Sequence, residues 1–259
     1  MTRLSTPIAI DPRNPGQVFA ALGLLELLDR IAPHTEPSGR FDLTGAPAFV
    51  IEQTGNAHPV RLVLDALRDA RVEPAPPAGE EATAPLDLHL GGGAVVRLDL
   101  WANLDSRIRV KTWAGQQTSR IITDALLDVF RRGAFSIPDE ALSAPFDAGL
   151  PMTGRFGFDP RSAWTALDAG YSPNEQGDAV RTYPLVELLA AVGLQEARPC
   201  RLPGGALRYT LFARPLPAPL ARAALVGSFD RRGGVPYRFP LAKRGSYLFF
   251  EQAREDSLP

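Results

Sequence analysis

Strands and helices are mixed along this sequence without a regular βαβ rhythm, which predicts an α+β fold with a mixed, largely antiparallel sheet and packed helices. Three observations carry that expectation. An apolar run at helical spacing opens the chain, hairpin-like alternation fills the middle, and short strands around one helix close it. With 259 residues, 45% of them hydrophobic and 22% charged, the chain can build one large domain or two modest ones.

Pro7 to Ile10 reads as a short strand leading into DPRNPGQ. Asn14 is a candidate N-cap, and Pro15 suits the first helical position, where a missing N–H costs nothing. Val18, Phe19, Leu22, Leu25, Leu28 and Ile31 then predict a helix over Pro15–Ile31 that stops before Pro33. Phe41 to Gln53 reads as strand with a turn at Gly45, and Val60, Leu64 and Leu67 predict a helix from Pro59 to Ala70. Glu73 to Pro85 holds proline, glycine and acid without a large apolar residue, which reads as a mobile surface loop. A hairpin over Leu86–Trp101 turns at GGG, and Arg107–Thr112 is expected as a third strand. Ser119 is the expected cap of a helix carrying Ile121, Ile122, Leu126, Leu127 and Phe130 and ending near Gly133. Strands are expected over Arg155–Phe158, Ala206–Ala213 and Tyr247–Phe250, and helices over Pro160–Asp168, Pro184–Val192 and PLPAPLARAAL.

Irregular, proline-bearing sequence over 136–154 divides the chain into two expected lobes, 1–135 and 155–259, with the mobile loop 73–85 inside the first. One internal echo links them. FAALGLLELL resembles LLAAVGLQEA, with small residues, a glycine and a leucine at matching offsets. Glycine there lets a helix approach a neighbour closely. A duplicated unit and coincidence in an alanine- and leucine-rich chain both account for it.

Composition excludes several function classes. No apolar run approaches the roughly 20 residues of a membrane span, and no signal-peptide pattern opens the chain. The lone Cys200 cannot form an internal disulfide, so a cytoplasmic location is expected. His34, His58 and His89 are scattered, and no GxSxG, CxxC or phosphate-loop pattern occurs. No cofactor or metal is expected, and catalysis is not. Formal net charge is −1, yet only two of the 28 Lys+Arg residues are lysines, Lys111 and Lys243.

The unusual stretch is VKTWAGQQTS, Val110 to Ser119. On the expected strand, Arg107, Arg109 and Lys111 project from one face, bracketed by Trp101 and Trp113. Arginine forks and lysine meet phosphates, aromatic faces stack on bases, and Gln116 and Gln117 donate to backbones or base edges. Nucleic acid, a protein partner and a solvated sheet over a core tryptophan all fit those residues. Lys243 and Arg244 in KRGSY repeat the theme at a turn. Secondary candidates are Asn14 and Gln17, read as exposed amides at a helix start, and Tyr171 and Asn174 in GYSPNEQG.

Three stretches in order, DPRNPGQVFAALGLLELLD, VKTWAGQQTS, and FDPRSAWTALDAGYSPN with YPLVELLAAVGLQEARP, resemble a CRISPR-associated protein of type I-G systems, formerly I-U. The resemblance implies a non-catalytic component of Cascade, the crRNA-guided antiviral surveillance complex, in a role like a reduced large subunit. Its implied partners are other Cascade subunits, the crRNA, a double-stranded DNA target and the helicase–nuclease. In such machines the guide reads sequence, while protein reads a flanking motif and the backbone. An adaptor that assembles the complex without touching DNA, and a small-molecule enzyme, are the alternatives.

Overall fold

The computed structural model describes residues 3–76, 80–102, 109–162, 181–228, 234–244 and 246–256, with the backbone alone for Arg244. β1 (Arg3–Ala9) leads into α1 (Pro15–Ile31), β2 (Ser38–Asp42), β3 (Ala48–Thr54), α2 (Pro59–Arg68) and β4 (Arg71–Pro74). β5 (Leu86–His89), β6 (Val95–Leu98), α3 (Ser119–Arg131) and β7 (Leu150–Pro151) follow. Next come β8 (Arg181–Thr182), α4 (Pro184–Glu196), β9 (Cys200–Arg201), β10 (Leu207–Phe212), β11 (Leu216–Pro217) and α5 (Ala218–Leu225). β12 (Gly234–Phe239), β13 (Leu241–Arg244), β14 (Tyr247–Phe250) and β15 (Arg254–Glu255) close the chain.

The fold is α+β, and the strand pairs of the described residues are antiparallel. The sheets have strand orders β1-β3-β2-β11, β15-β12-β10-β9, β4-β5-β6, β13-β14 and β7-β8. Among the described residues, no helix is long and apolar enough to cross a membrane.

α1 starts as its sequence dictates. The Asn14 side chain accepts from Gln17 N at 3.2 Å, and Pro15 occupies the first turn. Both α1 and α4 are buried on every face over most of their length, which fits helices apolar all round. By contrast α2 and α3 bury one stripe each, Val60, Val63, Leu64 and Leu67 in α2 and Ile122, Leu126, Leu127 and Phe130 in α3.

The two central helices touch through the glycines of the echoed segments. A Cβ on Gly23 would lie 2.0 Å from Leu189 O, and a Cβ on Gly193 would lie 2.0 Å from Phe19 O. Each glycine thus receives the other helix's backbone where any side chain would collide with a carbonyl. α1 from the first expected lobe and α4 from the second thereby share one hydrophobic core.

Several expectations change. Residues 109–114 form no strand, and neither do 155–158; the N–H groups of Phe156, Gly157, Phe158 and Asp159 go to the Glu187 side chain instead. The helix expected over Pro160–Asp168 begins as a short turn, Pro160–Ser162, and its remainder lies outside the described residues. α3 is capped by Thr118, whose hydroxyl accepts from Ile121 N at 3.1 Å, because the Ser119 hydroxyl donates to Ala84 O at 2.8 Å. The described part of the expected mobile loop packs as a roof: Thr83 is buried, and the carbonyls on either side of it accept from indoles.

The glycine contact makes a direct prediction. Gly23→Ala or Gly193→Ala should destabilise the protein by about 1–3 kcal/mol or more, since the obstructing atoms are backbone. Urea denaturation checks this; unchanged midpoints for both variants contradict it.

Candidate cationic face and the paired turns beneath it

VKTWAGQQTS is an irregular segment laid against β14. Leu248 N donates to Thr112 O at 2.8 Å, and Phe250 N donates to Gly157 O at 3.1 Å. β14 therefore stitches the 109–117 segment to the 155–158 segment, and KRGSY sits beside VKTWAGQQTS. A Cβ on Gly115, which has φ +67, would lie 3.8 Å from Tyr247 Oη. Tyr247 is 49% exposed. The two basic stretches thus lie side by side, with Lys243 paired to Leu248 and so on the opposite side of the hairpin from Tyr247.

The expected stacking platform is not there. Trp113 is 3% exposed and Trp101 0%. Their indole N–H groups donate to Ala82 O and Ala84 O, each at 3.0 Å. The rings cross edge-on at 5.4 Å, and Trp101 stacks on Phe156 at 5.1 Å. Phe156, Phe158, Phe250 and Phe239 continue the ring contacts to Phe19 of α1. Trp113 is thus corrected from a nucleic-acid contact to core, because both indoles find backbone acceptors inside.

The cations lie around this core. Arg109 is exposed and its Nε donates to Trp101 O at 2.7 Å. Lys111 Nζ donates to Trp113 O at 2.9 Å and lies 5.8 Å from that ring's centroid. Arg155 is half-buried, and burial lowers its pKa against the opposing pull of Glu187 and Tyr247. Lys243 is exposed on β13. None of these four cations has an ion-pairing carboxylate among the described residues. Gln116 is exposed, while Gln117 is half-buried and its Oε1 has no hydrogen-bond partner. Arg107, Tyr171 and Asn174 lie outside the described residues, as does the Arg244 side chain.

Asn14 and Gln17 are not exposed amides; they are 1% and 4% exposed. They belong to a pair of turns that the sequence reading missed. IAIDPRN (8–14) and FGFDPRS (156–162) are two copies of one motif. In the first, Asp11 Oδ1 accepts from Arg13 N at 2.9 Å and Asn14 N donates to Asp11 O at 2.9 Å. In the second, Asp159 Oδ1 accepts from Arg161 N at 2.9 Å and Ser162 N donates to Asp159 O at 3.0 Å. Gln17 Oε1 takes Asp11 N at 2.6 Å, and Glu187 Oε1 takes Asp159 N at 3.1 Å. Gln17 and Glu187 each stand six residues before their helix's glycine. Asn14 Nδ2 then donates to Asp159 Oδ1 at 3.0 Å, joining the turns. Aligning the two echoed helices on their glycines and reading upstream exposes this signal.

The second turn is the more charged. Glu187 is fully buried, and its carboxylate also accepts from Phe156, Gly157 and Phe158 N at 2.8, 2.9 and 3.4 Å. Burial pushes its pKa up to about 7, with the backbone donors pulling the other way. Arg161 clamps Asp159 through Nη2 at 2.7 Å, reaches Asp147 at 2.8 Å and lies 3.6 Å from the Tyr183 ring centroid. Beside the turns an open groove of ≈ 610 Å³ runs between Arg13, Pro160 and the 249–254 segment.

A second buried charge cluster ties three helices together. Glu26, 1% exposed on α1, faces Arg222 of α5 at 3.0 Å. Arg222 also meets Glu196 of α4 at 2.7 Å, and Glu196 meets Arg30 at 2.6 Å. Glu26 and Glu196 each stand three residues after their helix's glycine. Burial pushes Glu26 up to about 7, despite Arg222.

Family models, curated proteins and solved structures all fail to match this chain. That overturns the type I-G CRISPR, Cascade, RNA-guided and DNA-binding identity drawn from the three resembling stretches. No group of three or more potential metal ligands occurs among the described residues.

Two outcomes follow. Trp113→Ala should cost about 3–5 kcal/mol in unfolding free energy, the signature of a core ring; a loss under 1 kcal/mol, by the same scale, contradicts that placement. Glu26 holds its proton in the folded state above its ordinary pKa of 4.5, up to about 7. Its stabilising contribution is therefore complete below pH 4.5 and lost as pH rises through about 7. The difference in stability between wild type and Glu26→Gln should fall across that window, and a pH-independent difference contradicts the assignment.

Proposed function

We propose that this protein is a non-catalytic adaptor of the cytoplasm, which holds a partner protein against the face built from residues 109–117, Arg155 and the β13–β14 hairpin. One observation carries this reading. Arg109, Lys111 and Lys243 have no ion-pairing carboxylate among the described residues and lie on segments stitched together by β14, whereas Arg161, Arg198, Arg208 and Arg222 are ion-paired internally. Arginine and lysine charges beside a half-exposed tyrosine suit the polar, arginine- and tyrosine-bearing character of protein interfaces. The acids with raised pKa values support the same reading. Glu187 spends its oxygens on backbone N–H groups and Glu26 faces arginine, so both hold segments of the fold together.

The test is purification of the tagged full chain from its native cells, beside the variant Arg109→Glu/Lys111→Glu/Lys243→Glu. A stoichiometric protein partner should copurify with wild type. The variant, compared at a temperature where circular dichroism shows it folded, should bind that partner at least tenfold more weakly, about 1.4 kcal/mol. Equal capture by both, or a solitary monomer from both, overturns the proposal.

A further inference from the structure

β13 continues β12 beyond the reach of its neighbour. β10 pairs with β12 as far as Leu207↔Phe239, and the chain then passes through Pro240 into β13. Within its sheet β13 is bordered by β14 alone. The hydrogen-bond register says which groups this leaves open. Leu248 N and Phe250 N donate away from β13, to Thr112 and Gly157, while Glu251 N donates to Pro240 O. Leu248 and Phe250 stand opposite Lys243 and Leu241, so these are the pairs that exchange no ladder bonds. Leu241 and Lys243 therefore direct their N–H and C=O groups outward. Those groups have no backbone partner among the described residues. Leu241 is half-buried and Lys243 exposed.

The edge of β1 makes an instructive contrast. Ala9 N donates outward to Ser143 O, so alternate residues Arg3, Ser5 and Pro7 also face that edge. Pro7 has no N–H to offer, which blunts the edge against added strands. β13 has no such block.

We propose that the outer edge of β13 receives an extended, acidic segment of a partner protein, which adds as one more strand. This rests on the adaptor reading for the existence of a partner, and it names that partner's binding element. Strand addition satisfies the open backbone groups of Leu241 and Lys243, and a carboxylate set across from Lys243 pairs a charge that meets no carboxylate among the described residues. A second copy of this chain is the wrong occupant, because antiparallel self-pairing sets one lysine-bearing edge against another.

The test uses a fluorescein-labelled peptide of alternating glutamate and valine, titrated with the full chain and read by fluorescence anisotropy. Two further peptides carry N-methyl groups on alternate amides, one set on each edge. Methylation of one edge should weaken binding at least tenfold, while methylation of the other leaves it within about twofold. Leu241→Pro removes an outward N–H and spares the β14 ladder, so it should weaken binding tenfold; the methylated peptides decide the matter if that variant does not fold. Lys243→Gln should weaken binding severalfold, and a lysine–valine peptide should not bind. Equal binding of all three acidic peptides, equal binding of the lysine–valine peptide, or no binding at about 1 mM overturns the proposal. So does a single-stranded oligonucleotide that binds the wild-type protein while the acidic peptide does not. Such a failure with partner capture intact removes strand addition alone. Failed capture with methylation-sensitive peptide binding removes the adaptor reading alone.

Discussion

Where α1 crosses α4, Gly23 and Gly193 let two helix backbones meet without side chains between them, each glycine lying under a carbonyl of the other helix. Much of the molecule is arranged around that crossing. Toward the helix N-termini, Gln17 and Glu187 reach back to the two aspartate turns, which Asn14 and Asp159 lock together. Beyond the glycines, Glu26 and Glu196 gather Arg222 and Arg30 and bring α5 onto the pair. A backbone contact this close is sensitive to a single methyl group, because packed interiors deform little.

The matched turns, matched glycines and matched glutamates are what a duplicated unit folded against itself would show. The two turns differ in their electrostatics. Gln17 caps its loop as a neutral amide, while Glu187 does so as a buried acid beside Asp159, Arg155 and Arg161. The 155–158 segment and the 109–117 segment both bond to β14, so the buried aromatic rings and the neighbouring positive charges are positioned by the same strand.

Much of the secondary structure was legible in local sequence. Asn14-Pro15 and the apolar spacing that follows define α1 to the residue, and alternation defines the β5–β6 hairpin. Local pattern misleads where distant groups take the backbone bonds. Residues 109–112 alternate charge and apolar side chain as a strand does, yet their bonding partners are Leu100, Phe156 and β14, far apart in sequence. The candidate site is legible in residue type and not in orientation: Lys111 and Lys243 stand out by type, whereas nothing local shows that Trp113, Asn14 and Gln17 are buried.

The sequence alone determined that the chain folds as an α+β protein, where its long helices start and stop, and that its two lysines sit among other basic residues. Each depends on neighbours within a few positions, through caps, proline geometry and periodic burial. Only the tertiary structure decided that the two echoed helices touch, that both indoles point inward, and that the two basic stretches lie side by side. A tryptophan's direction depends on whether distant carbonyls, here Ala82 and Ala84, can take its N–H. An open strand edge such as that of β13 depends on where a neighbouring strand stops. Neither condition is written in any short stretch of the chain.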